Sequence, residues 1–105
     1  MKKIVVVDSR SDKELKKFPH VVQLKFYAIF RVLEAEGKLE EPSGKKLVGA
    51  TGLFEIRIKY KGQWRAIYAY LQNDKIIILS AFAKKTQKIP TLELDKAKKR
   101  LLEYK

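Results

Sequence analysis

One short block alternates residue types in a way that gathers charge. In "GLFEIRIKY" (52–60), Phe54, Ile56, Ile58 and Tyr60 share one side of a strand, and Glu55, Arg57 and Lys59 share the other. A "KG" hairpin signal follows at 61–62, and Arg65 opens the next strand just beyond it. The strand after that, "KIIILSAFA" (75–83), runs straight into Lys84 and Lys85, then Thr86 and Lys88. Lys45 and Lys46 sit in the segment before the first of these strands. An arginine fork matches two oxygens of one phosphate. Lysines at the end of a neighbouring strand would complete a cationic rim around it.

Each residue also has an ordinary structural reading. Arg57 with Glu55 can be a surface ion pair, which stabilises little. Arg65 shares its strand side with Ile67, Ala69 and Leu71, so it needs a buried partner, and Glu55 is a candidate. Lys84 and Lys85 can be a solvated strand end, although Thr86 and Lys88 beside them favour a phosphate site. Tyr68 reads as core or sheet surface. His20 opens a helix far along the chain from the strands and reads as structural.

Bulk composition points the same way. Lys and Arg number 24 against 12 Asp and Glu, a net charge of +12. Solubility alone needs a net charge of only ~2–8, so the excess points to a polyanionic partner, chiefly nucleic acid. The chain has no cysteine and one histidine, which excludes a disulfide framework, a cysteine metal site and any triad needing two imidazoles. No metal or cofactor is expected. In "MKKIVVVDSR" the apolar run is too short for a signal segment or a membrane span. The expectation is a single domain over residues 1–105, cytoplasmic and without membrane contact.

The positioning elements follow from periodicity and breakers. "KKIVVVD" (2–8) reads as a strand. "SRSDKELKKF" (9–18) reads as a short helix capped by Ser9 or Ser11 and broken by Pro19. Val22, Phe26, Ile29, Phe30 and Leu33 trace a helical stripe over 20–36, and Gly37 stops it. Residues 38–51 have no period and read as a loop. The three strands come next, the last apolar on both sides and therefore central. A helix over "TLELDKAKKRLLEY" follows Pro90. The order β-α-α-β-β-β-α predicts an α+β fold: an antiparallel meander with a helical hairpin and a C-terminal helix covering one face. Leu24, Tyr27 and Val32 lie beyond the main stripe of the second helix and suggest a partner surface on the hairpin.

In this order and at these separations, "GLFEIRIKYKGQWRAIYAY" followed by "AFAKKTQKIP" resembles the phage-derived, HigB-like branch of the RelE/ParE toxin superfamily. The residues that carry the resemblance are Leu53, Phe54, Glu55 and Arg57; Arg65 and Tyr68; and Phe82, Lys84, Lys85, Thr86 and Pro90. The motif region covers about residues 45–100. The resemblance implies the toxin of a two-gene toxin–antitoxin system, with a cognate antitoxin, the ribosome and mRNA as partners. Relatives resembling RelE or HigB cut mRNA in the ribosomal A site, whereas those resembling ParE poison DNA gyrase. A basic nucleic-acid or ribosome-binding module without toxicity is the third possibility. For an endoribonuclease working without metal, the implied catalytic set is Glu55, Arg57, Arg65, Lys84 and Lys85. Lys45, Lys46, Lys59, Thr86 and Lys88 would bind RNA. Several such toxins carry a tyrosine or histidine near the C-terminus for proton transfer, where this chain has only Tyr104. Arginine cannot act as a base. That leaves Glu55, or a lysine whose pKa is lowered, to take the proton.

Overall fold

The computed structural model describes residues 2–47, 52–72, 74–85 and 89–105. Its elements are β1 (Ile4–Val7), α1 (Ser9–Lys16), α2 (His20–Glu36), β2 (Gly44–Lys46), β3 (Phe54–Lys59), β4 (Gln63–Leu71), β5 (Lys75–Lys84) and α3 (Thr91–Leu102). They form an α+β fold around one five-stranded sheet of order β1-β5-β4-β3-β2.

Local chemistry sets the joints. Asp8 caps α1, accepting from the backbone N–H groups of Arg10 at 2.9 Å and Ser11 at 3.3 Å. The cap therefore lies one residue before the serines expected to supply it, and a carboxylate does the work. Pro19 starts α2, and Gly37 ends it in the left-handed region at φ 77°, donating to the Leu33 carbonyl at 2.8 Å. Between β3 and β4, Lys61 and Gly62 both take positive φ, as a tight hairpin turn requires.

Three features differ from the sequence expectation. β1 is shorter than 2–8 and pairs in parallel with β5, from Ile4 opposite Lys75 to Val7 opposite Ile78, so the sheet is mixed. Part of the expected loop 38–51 is a strand, β2, antiparallel to β3. Most consequentially, the helices do not share one face. Leu15, Val22, Phe26, Phe30 and Leu33 of α1 and α2 pack on Ile56, Tyr68, Ile76 and Ile78. Ala97 and Leu101 of α3 pack on Ile67, Ala69, Ile77, Leu79 and Phe82 from the other side. The two-sided apolar character of β5 accounts for this, because one helix cannot cover both faces of a strand.

β1 ends early on β5, and the strand edge beyond it is closed by side chains. The Ala81 N–H donates to Glu14 Oε1 at 3.1 Å. A register shift between Ile67 and Tyr68 against β5 leaves Leu79 without a ladder partner, and its carbonyl accepts from Arg100 Nη1 at 2.8 Å. Arg100 also donates to both Glu14 oxygens, at 3.0 and 3.1 Å, and Lys96 adds a contact at 3.2 Å. This ion pair stands where a longer strand would otherwise be. No helix among the described residues is long and apolar enough to cross a membrane.

Candidate functional site

The face of the sheet that meets α3 changes character along its strands. α3 lies over β5 and β4, on Ile67, Ala69 and Leu79. Further along, the same face turns polar. Residues directly opposite in antiparallel strands share a side, and the register sets Lys45 opposite Glu55, Arg57 opposite Arg65, and Lys59 opposite Gln63, itself opposite Lys84.

At the centre of this group is a carboxylate. Glu55 is only 2% exposed, and its Oε1 accepts from Arg57 Nε at 2.7 Å. Its Oε2 lies 3.7 Å from Arg65 Nε, too far for a hydrogen bond. Both of those atoms are buried without a hydrogen-bond partner. Arg65 is 7% exposed and held from the side: Nη1 donates to the Trp64 carbonyl at 3.1 Å and Nη2 to Gln63 Oε1. Burial pushes the Arg65 pKa below its ordinary value; Glu55 opposes that shift and Arg57 adds to it. Lys84 shifts in the same direction. Burial is the main cause, Glu55 works against it, and the positive charges of Arg65, Arg57 and Lys45 reinforce it. Lys45, Arg57, Arg65 and Lys84 thus set four cations around one carboxylate. An open cleft of ≈ 330 Å³ adjoins the two arginines, lined by Pro42, Ser43, Arg57, Ile58, Lys59, Gln63 and Arg65. Ser43 is fixed there by its carbonyl, which accepts from the Arg57 N–H at 2.8 Å. Among the described residues, the terminal nitrogens of Arg57 have no acceptor, so they are available to an anion in the cleft.

The structure therefore gathers Lys45, Glu55, Arg57, Lys59, Arg65 and Lys84 on one face. Of the other expected residues that are described, it brings none to them. Lys46 stands opposite Phe54, on the other side of the sheet. Lys85 lies one residue past β5 and is exposed, with no contact to the group among the described residues. Thr86 and Lys88 lie outside the described residues. Tyr104 is occupied elsewhere: its hydroxyl donates to Asp8 Oδ2 at 2.6 Å, at the start of α1, and that bond raises its pKa. Gln63 was not anticipated. It sits two residues before Arg65 on the same strand side, a spacing that signals a side-chain partner. Among the described residues, no group of three His, Cys, Asp or Glu is placed to hold a metal.

Comparison with known proteins adds a family and a fold. The family model described as Phage derived protein Gp49-like (DUF891) matches residues 13–102. A comparison with curated protein sequences finds no match. Among solved structures, a free mutant form of the E. coli toxin RelE matches with a TM-score of 0.75 and 19% identity, covering 96% of this chain and 99% of that one. The archaeal RelE–RelB complex from Pyrococcus horikoshii matches with a TM-score of 0.62 and 26% identity, covering 79% and 96%. The RelBE2 toxin–antitoxin complex from Mycobacterium tuberculosis matches with a TM-score of 0.63 and 20% identity, covering 80% and 100%.

Proposed function

This chain belongs to the phage-derived Gp49-like family, and we propose from that premise that it is the toxin of a type II toxin–antitoxin pair, an endoribonuclease that cuts mRNA on the ribosome in the cytoplasm. The observation that carries this reading is the convergence of Lys45, Arg57, Arg65 and Lys84 on one sheet face, around a carboxylate that orients Arg57, with Gln63 and the Trp64 carbonyl holding Arg65. The likeness in fold to RelE toxins supports it.

RNA cleavage requires the 2′-hydroxyl to lose a proton, the charge growing on the phosphate to be stabilised, and the leaving 5′-oxygen to gain a proton. Arg57 and Arg65 supply fixed donors for the phosphate, which is how such sites lower barriers. Lys45 adds charge at the rim. Lys84 is the residue suited to take the proton, because burial and its cationic neighbours favour its neutral form. Glu55 positions: buried and bonded to Arg57, it orients the guanidinium while the terminal nitrogens stay free for substrate.

The neutralising partner is a cognate antitoxin, for which the α1–α2 hairpin offers Val21, Leu24 and Val32, 42%, 53% and 42% exposed. Tyr27, by contrast, packs into the core against Phe30. Primer extension on mRNA in a purified translation system tests the activity. New 5′ ends should appear with the wild type and vanish with a folded Arg65→Ala variant. Intact mRNA alongside blocked gyrase supercoiling would replace this reading with the gyrase-directed one.

A further inference from the structure

Lys45 and Lys46 are neighbours in a strand of three residues, yet they serve opposite faces of the sheet. Lys45 lies opposite Glu55 and joins the cationic group. Lys46 lies opposite Phe54, at a second cleft of ≈ 300 Å³ beneath the segment that leads into β2. The floor of that cleft is aromatic. Phe54 stacks on Tyr68 with ring centroids 5.4 Å apart and an interplanar angle of 22°. Tyr70 meets Phe54 edge-on at 5.3 Å, and its hydroxyl is anchored to the Gly37 carbonyl at 2.8 Å. Phe54 and Tyr70 line the cleft and are only half-buried, and Lys3 Nζ lies over the Tyr70 ring, 6.0 Å from its centre, a cation already beside the aromatic floor. Lys38 and Lys46 line the cleft, and Lys45, although paired opposite Glu55, borders it from the edge strand. Of the two carboxylates there, Glu40 is engaged by Lys38 at 3.3 Å, and Glu41 lies beside it.

An aromatic floor with lysines along one edge is what sequence-tolerant single-strand binding uses: bases stack on the rings while cations follow the backbone. β2 is the edge of the sheet and only three residues long, and the segment that leads into it lines both clefts, Pro42 and Ser43 the first and Lys38 to Glu41 the second, so a strand leaving the Arg57 side reaches the second cleft along that segment. We propose that this cleft is a second subsite for single-stranded RNA. It would stack a nucleobase beyond the phosphate held at Arg57 and Arg65 on Phe54 and Tyr70, with Lys46 on the backbone. This rests on the RNA reading above and extends it to a specific second contact.

The experiment is a binding titration of a dinucleotide and an octanucleotide of single-stranded RNA, with photocrosslinking of an octanucleotide carrying 5-iodouridine. Base stacking is worth enough that Phe54→Leu should weaken octanucleotide binding about 5- to 10-fold. Lys46→Ala should weaken it a few-fold and also flatten its salt dependence. Both variants should bind the dinucleotide like wild type, whereas Arg57→Ala should weaken both ligands. Crosslinks on the wild type should fall on Phe54 or Tyr70, a readout that does not depend on any variant folding. Unchanged octanucleotide binding in Lys46→Ala, with crosslinks away from Phe54 and Tyr70, overturns the subsite while leaving the cationic site intact. A wild type that binds neither RNA overturns the RNA reading and the subsite together.

Discussion

Two carboxylates in this molecule, Glu14 and Glu55, are each ion-paired with two basic side chains, and they end up in opposite states. Glu14 is saturated. Arg100 donates to both of its oxygens, Lys96 to one, and the Ala81 N–H to the other. Glu55 is more deeply buried and less well satisfied, with one oxygen bonded to Arg57 and the other left 3.7 Å from an unpartnered Arg65 nitrogen. Proteins rarely leave buried polar atoms unpaired without cause. The contrast separates an ion pair that completes the fold from one that holds donors ready for something else. The same residue types, in similar numbers, saturate one carboxylate and leave the other with unpaired polar atoms.

That contrast breaks most visibly at the arginines. Arg65→Ala or Arg57→Ala should lower mRNA cleavage by about 10²- to 10³-fold, as loss of a fixed donor to a developing oxyanion does. Arg57→Ala also strips the buried Glu55 Oε1 of its hydrogen bond and should lower the urea midpoint, whereas Arg57→Lys keeps a cation beside Glu55 and should lose cleavage with a smaller loss of stability. If Arg57→Lys unfolds the protein as readily as Arg100→Ala does, or cleaves like wild type, the two clusters are alike and the distinction fails.

Arg100→Ala should act on stability instead. Removing one partner of a buried pair leaves the other charge uncompensated, at a cost of about 3 kcal/mol. Equilibrium urea unfolding measures it. Arg100→Lys should recover part of the loss, since a single ammonium cannot serve both Glu14 and the Leu79 carbonyl with the same geometry.

Much of this division was legible in the sequence, and the remainder was non-local. Strict alternation in "FEIRIK" placed Glu55 and Arg57 together, and the missing partner in line with Ile67 and Ala69 pointed Arg65 towards Glu55. Local pattern carries that much because strand faces repeat every two residues. It said nothing of Glu14 and Arg100, which are 86 positions apart and meet only once α1 and α3 approach β5 from different sides. The parallel pairing of β1 with β5 escaped for the same reason. Lys45 and Lys46 looked equivalent because a strand of three residues is too short to show a period.

Salt sharpens the comparison further. About three phosphate contacts, from Lys45, Arg57 and Arg65, with Lys84 neutral as the base, give single-stranded RNA a log–log salt slope of roughly −2. Arg57→Ala should reduce its magnitude by nearly one contact, and Arg100→Ala should not change it. A slope near zero in a filter-binding titration would show that these cations do not bind a polyanion.

The smallest expected effect lies in acid. Burial alone would raise the Glu14 pKa, but hydrogen bonds from Arg100, the Ala81 N–H and Lys96 outweigh it and hold the carboxyl below its ordinary value. Asp8 is likewise held low, where bonds from Arg10, Tyr104 and the helix N–H groups overcome burial. The unfolded chain therefore takes up protons first as pH falls. Their stabilisation is fully present above the ordinary carboxylate range and is lost as pH drops below about 4. Glu14→Gln should be less stable than wild type at pH 7, with the gap narrowing at pH 3 in parallel urea titrations. A gap that stays constant would mean Glu14 contributes by shape and not by charge.

The Glu14–Arg100 closure also bears on how this chain survives its own synthesis. The run "KIIIL" at 75–79 is uncharged after its first residue, rich in β-branched side chains and free of proline, the profile of a segment that recruits other strands when its edge is open. In the finished molecule β4 covers one edge, and β1 with the Glu14–Arg100 pair covers the other. One half of that latch comes from residue 14 and the other from residue 100. A ribosome must therefore pass β5 and deliver nearly all of α3 before the edge is sealed. Until then, or after a proteolytic cut that frees α3, this strand is open to pairing with other chains.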